Sequence, residues 1–171
     1  WMRDSGLLQA YIPEFGELIH RVEYDESLEY TLDEHALNAI EVVDELTQTD
    51  REEELQQREL LSGLDRPELL RLGLLIHHIG SEDAVRRIAE RLHLDADEEE
   101  TLVFLHRNGS ALPECAERHN FHDPDVLERM AERVGDANRL GLLYVFSYAD
   151  CRATGRTGWF GWLDALLYEL Y

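Results

Sequence analysis

The chain has no lysine: all 16 basic residues are arginine, set against 37 acids, for a net charge of −21. That field repels phosphate backbones, so a nucleic-acid platform is excluded as a reading, and a phosphate-bearing substrate would need a metal or clustered arginines. Acid excess without lysine suits a protein kept soluble in a very salty cytoplasm, where the Debye length shrinks to about 3 Å at 1 M; halophily is the expectation, and a GC-rich genome favouring arginine codons is the alternative. Cysteine is also scarce. Cys115 and Cys151 are the two present and form no C-x-x-C pair, which reads as reduced thiols in a cytoplasmic protein. No apolar run approaches the roughly 20 residues of a membrane span, and the amino end lacks a signal-peptide pattern. Strand signals are nearly missing too, with Ile19–Tyr24 the one candidate, equally readable as loop.

Helical signals fill the remainder. Leu32, Ala36, Ala39, Ile40, Val43 and Leu46 recur at helical spacing behind a capping Thr31. "DRPELLRLGLLIHHIG" carries proline in a first turn and Gly80 as a stop. Ser81, Asp95 and Asp136 read as caps of three further helices. Asp123-Pro124 opens another that ends at Gly135, and Thr157 begins the last. The acidic runs "REEE" and "DADEEE" read as solvated helix starts. "SALPECAERHNFH", residues 110–122, is expected to be the main irregular loop and a candidate pocket cover. The reading is an all-α bundle of about seven helices, with residues 1–171 as a single domain cut from a larger protein.

Three places on these helices carry chemistry. His35 shares the buried stripe of Leu32 and Ala39. His77 and His78 close a leucine-rich helix, turned about 100° from each other, so both rings could reach one point where the chain leaves the helix. Asp150 lies on the face of Leu143, Phe146 and Ser147, where an ionised carboxylate needs a positive partner: a divalent cation, Arg152 or another arginine. Each residue alone also reads as ordinary structure, a hydrogen-bonded core histidine or a salt-bridged aspartate.

Taken together, "GLLQAYIPEFG", "YTLDEHAL", "LLIHHIG", "YADCRAT" and the closing "GWFGWLDALLYELY" resemble the HD domain of the bifunctional PII uridylyltransferase/uridylyl-removing enzymes. The resemblance implies a metal centre built from a first His, a His-Asp doublet and a final Asp. On this chain those positions are His35, His77, His78 and Asp150, and the doublet aspartate is replaced by His78. Two further departures remove histidines: the chain runs from Gly80 straight into "SEDAV", where the family has a longer His-bearing loop, and Gly109 stands where the family has a histidine. His106, three residues earlier, is not recruited in its place.

The resemblance therefore implies one divalent ion (Zn²⁺, Mn²⁺, Co²⁺ or Ni²⁺) or a centre that holds none. A His in place of Asp raises the charge of a divalent site to about +1 and favours Zn²⁺, Ni²⁺ or Co²⁺ over Mn²⁺. Two functions from different classes follow. One is a degenerate module kept for a structural or regulatory role among the other domains of its parent protein, meeting the PII signalling protein. The other is an active single-metal phosphodiesterase acting on a uridylyl-tyrosine bond, with Asp150 at the centre and Arg107, Arg152 or Arg156 balancing phosphate charge. Arg152 and Thr154 match a family block and equally read as a helix-end arginine and a cap. Asp33 and Glu34 could orient a ligand ring, or form an exposed acidic first turn. Trp159, Phe160, Trp162, Tyr168 and Tyr171 read as core packing of the last helix.

Overall fold

A computed structural model describes residues 1–22, 30–118 and 124–154. It is all-α, and no strand occurs among the described residues. The elements are α1 (Leu7–Tyr11), a 3-10 turn (Pro13–Glu17), α2 (Leu32–Leu46), a second 3-10 turn (Glu52–Glu54), α3 (Leu55–Gly63) and α4 (Pro67–Ile76). They continue with α5 (Glu82–Arg91), α6 (Ala96–Asn108), α7 (Ala111–Arg118), α8 (Pro124–Val134) and α9 (Ala137–Ala153). No described helix is long and apolar enough to cross a membrane.

The hub is α9. Every residue from Gly141 to Ala149 is buried, as expected of a helix that is apolar on all sides and therefore surrounded. α2 packs along it through Ala39, Val43 and Leu46, joined by Leu61 of α3, Leu70 and Leu74 of α4 and Leu105 of α6 in one cluster. A second cluster lies under the amino-terminal segment, where Leu8, Ile12, Phe15 and Leu18 meet Leu32, Leu69, Ile76, Val85 and Leu102. Asp33 ties that segment down. It accepts from the backbone N–H of His20 at 3.1 Å and from Arg3 at 3.3 Å, so it is buried rather than part of an exposed acidic turn; Glu34, beside it, is exposed.

The caps follow the sequence at three of the helix starts it singles out. Ser81 accepts from Ala84 N–H at 3.3 Å and Asp136 from Arg139 N–H at 2.8 Å. Asp95 and Glu98 exchange bonds of 2.9 and 2.7 Å in a full capping box. Thr31 holds the cap position of α2, but its side chain makes no capping bond. Gly135, at φ 90°, supplies the left-handed residue that ends α8. Ser81→Ala is expected to cost about 1 kcal/mol, read as a lower urea midpoint at unchanged slope.

Two expectations need correction, and one left open is decided in part towards loop. Most of the supposed loop at 110–122 is helix α7, with Ala111, Leu112 and Cys115 buried. Pro113 misled because it falls in the first turn, where its missing N–H has no intrahelical partner to lose. Residues 119–122 lie outside the described residues. In the run "REEE", Glu54 is not solvated; it is buried and accepts from Thr49 at 2.7 Å and Tyr148 at 3.3 Å, with Arg51 at 3.0 Å. In the candidate strand, Ile19 and His20 form a turn and 23–24 lie outside the described residues. The expected last helix, its aromatic cluster and Arg156 also lie outside them. Neither cysteine is in a disulfide; Cys115 is buried and Cys151 half-buried.

Candidate metal centre

Helix α4 stops at Ile76, short of Gly80, and the histidine doublet sits in the turn that follows. His77 keeps helical backbone angles (φ −55°, ψ −43°), and Ile79 N–H closes the turn on Ile76 C=O at 3.0 Å. Successive residues therefore still diverge by about 100°, and the two rings go different ways. His78 turns towards α2 and α9. There, His35 Nε2 lies 2.8 Å from Asp150 Oδ1, a hydrogen bond between a fully buried ring and a carboxylate 22% exposed. The His78 ring centroid is 5.3 Å from that of His35. Donor atoms of His35, His78 and Asp150 all lie within 4.8 Å of one another.

His77 goes to the other side. Its ring meets Phe146 edge-on, with centroids 5.0 Å apart and planes at 82°, and it remains beside His78 at 4.8 Å. The space it fills exists because of Gly109. A Cβ at that position would stand 2.5 Å from His77 Cε1 and 2.6 Å from Phe146 Cε1. Gly109 itself has φ −53° and ψ −36°, so the glycine is required by the close approach of two rings and not by backbone conformation. The sequence marks Gly109 as the stop of α6, where it is the C-cap, and as a missing histidine; its packing role is not legible because the approach depends on a contact between three distant segments.

The electrostatics follow from this crowding. Burial pushes the His78 imidazole down to about 4, and the neighbouring His77 pushes the same way, against a smaller opposing pull from Asp150. Burial would raise the Asp150 carboxyl, but the hydrogen bond from His35 and the fields of His77, His35 and His78 outweigh it, holding the group down at about 2. Arg21, which sequence reasoning did not single out, adds a smaller lowering effect on His78. Its position in an irregular segment gave no periodic signal.

The donor set suits a divalent cation of the Zn²⁺, Co²⁺ or Ni²⁺ kind: two imidazoles and one carboxylate. Among the described residues His78 Nε2 is buried without a hydrogen-bond partner, as are His35 Nδ1, His77 Nδ1 and His106 Nδ1, so it is the clustering of donors and not the orphaned nitrogen alone that points to an ion. An ion would displace the proton that His35 shares with Asp150.

The other candidate residues fall elsewhere. Arg107 donates twice to Glu82, at 2.8 and 2.7 Å. Arg152 lies 3.6 Å from the buried Glu54 and over the Tyr148 ring. His106 is half-buried, lowered by burial, and is not in the three-donor set.

No protein-family profile matches the chain. Individual proteins do. The bifunctional uridylyltransferase/uridylyl-removing enzyme of Methylococcus capsulatus is 38% identical over 184 residues, that of Pseudomonas putida 35% over 182, and that of Nitrosococcus oceani 34% over 182. Each alignment takes in 99% of this chain. The chain is similar to one segment of these enzymes. It spans about a fifth of the length of these relatives, 20–21%, and the all-α bundle described above is consistent with an HD domain.

Proposed function

We propose that the chain is the HD segment of a larger uridylyltransferase/uridylyl-removing-type protein, and that here it serves as a structural or regulatory module rather than as a working hydrolase. The observation that carries this is the fate of the doublet. His77 is committed to packing against Phe146 in the room left by Gly109, and an imidazole replaces the doublet carboxylate at His78. Among the described residues a single donor cluster is present, with one carboxylate, where the resemblance implies a histidine-rich centre. Its partners on this reading are the neighbouring domains of its parent and the PII protein.

A specific feature favours a second reading, in which one ion still works. His78 offers a donor to the three-residue cluster, which is what a bound divalent ion would use. Such an ion would acidify water for attack on a phosphodiester. His35, His78 and Asp150 would hold it, and His77 would support the cluster from the side.

One experiment divides the two. On the first reading, Zn²⁺ or Co²⁺ raises the melting temperature through His78, by an amount equivalent to about 2.7 kcal/mol at a hundredfold excess over Kd. Bis-p-nitrophenyl phosphate is then not turned over with Mn²⁺, Co²⁺ or Zn²⁺. Turnover that disappears in His78→Ala would replace this reading with the second.

A further inference from the structure

A cleft of about 260 Å³ lies where α5, α6, α8 and α9 meet, and four arginines line it: Arg86, Arg107, Arg133 and Arg139. Glu100 is the one acid in its wall. In a chain whose acids outnumber its bases by 37 to 16, four arginines gather on one wall, and two of them, Arg133 and Arg139, are not hydrogen-bonded to a carboxylate among the described residues. A neighbouring cleft between α7 and α8 shares Arg133 and adds Arg129 against Glu114, so the cation excess is centred on Arg133; the remaining described clefts lack it. One between α3 and α9 is lined by Glu59 and Asp65 with no arginine, and one between α8 and α9 by Asp136 alone among charged groups.

The four guanidinium groups are not equally spent. Arg86 is hydrogen-bonded to Glu99 and Arg107 to Glu82. Arg139 has its carboxylates, Glu100 and Asp136, only at 3.9 and 4.0 Å, too far for hydrogen bonds. It rests instead over the Phe104 ring at 5.1 Å. Arg133 donates its Nε–H to the amide oxygen of Asn108 at 2.6 Å and has no carboxylate partner among the described residues. Asn108 is buried and fixed in turn by donating to Phe104 C=O at 2.8 Å. Arg133 and Arg139 are thus oriented by a neutral amide and a ring, which leaves guanidinium donors unspent. Planar forks held this way match the oxygen geometry of phosphate.

We infer that this cleft between α6, α8 and α9 binds a small phosphate-bearing anion, pyrophosphate or the terminal phosphates of a nucleotide, through Arg133 and Arg139. Its volume has room for a phosphate or pyrophosphate group rather than a whole cofactor. Arg86 and Arg107 close the rim and keep their glutamates. The site is separate from the three-donor metal cluster and does not depend on whether that cluster works.

The test is calorimetric titration of pyrophosphate into the metal-stripped chain at low ionic strength, where exposed charges are least screened. Saturable binding is expected, weakened at least tenfold in Arg133→Gln/Arg139→Gln and tightened several-fold in Glu100→Gln. The gain in Glu100→Gln keeps the test sound should the double variant fold poorly. His78→Ala is expected to bind as the parent does. A parallel titration with UDP separates the sources, since tighter binding than pyrophosphate marks a nucleotide's phosphates and equal or weaker binding a free oxyanion. Absence of saturation in the parent, equal affinity in the double variant and in Glu100→Gln, loss in His78→Ala, or sulfate binding as tightly as pyrophosphate would each overturn the inference.

Discussion

Gly109→Ala is expected to lower the stability of the chain by about 1–3 kcal/mol, the range for forcing one extra carbon into a filled core. The new Cβ would meet His77 at 2.5 Å and Phe146 at 2.6 Å, and neither ring has an easy retreat. Phe146 is wholly buried on the central helix, and His77 is held by a turn whose next residue faces His35. For a domain of this size each kcal/mol moves the melting temperature by about 2–4 °C. Gly80→Ala is the control, because a Cβ there meets nothing within 4 Å. The two explanations for a loss at Gly109, steric and conformational, separate in a double-mutant cycle. With His77→Ala already present, part of the collision is gone, so Gly109→Ala should cost less than it does alone. Equal costs in both backgrounds would mean that Gly109 and His77 are not coupled, and the packing account of His77 would fall.

The legible parts of this molecule were those set by local sequence. Ser81, Asp95 and Asp136 announce their helices because a capping side chain acts within three residues. The burial of His35 was legible from its place on an apolar stripe, and that of Asp150 in part from its face of α9. What sequence could not give was the direction of each ring. His77 and His78 are adjacent, and a doublet at the end of a leucine run suggests two rings aimed at one point. The backbone stays helical through His77, which drives one ring to the donor cluster and the other to Phe146. Glu54 was misread for a related reason. A run of acids looks solvated, yet Thr49 and Tyr148 arrive from i−5 and from α9 to satisfy this one. Arg133 carried no signal at all, because the amide that orients it is 25 residues away.

Acid should weaken the metal-free chain in two separate windows, and the order of the windows follows from the signs. His78 has a folded value of about 4, below the ordinary 6.5, so the unfolded chain binds its proton first. Its contribution is complete above pH 6.5 and is lost as pH falls towards 4, at a limiting slope of about 1.4 kcal/mol per pH unit. Partial exposure and relaxation of the ring bring the total to about 2–3 kcal/mol. Asp150 behaves with the same sign in a lower range: its contribution is whole above 3.8 and disappears as pH falls towards 2. His78→Asn should therefore reduce the slope of the stability profile between pH 6.5 and 4, leaving the part due to His106, which burial also lowers, and the lower decline. Asp150→Ala should act at every pH, because it leaves His35 Nε2 buried with no acceptor, at a cost of about 1–3 kcal/mol. It should also steepen the upper window, since the carboxylate is what partly restrains the depression of His78. Urea unfolding at half-unit pH steps, with metal removed beforehand, measures all three. A parent chain equally stable at pH 7 and pH 4.5 would show that His78 is not held in a buried, crowded site, and the shared cluster with His35 and Asp150 would lose its electrostatic support.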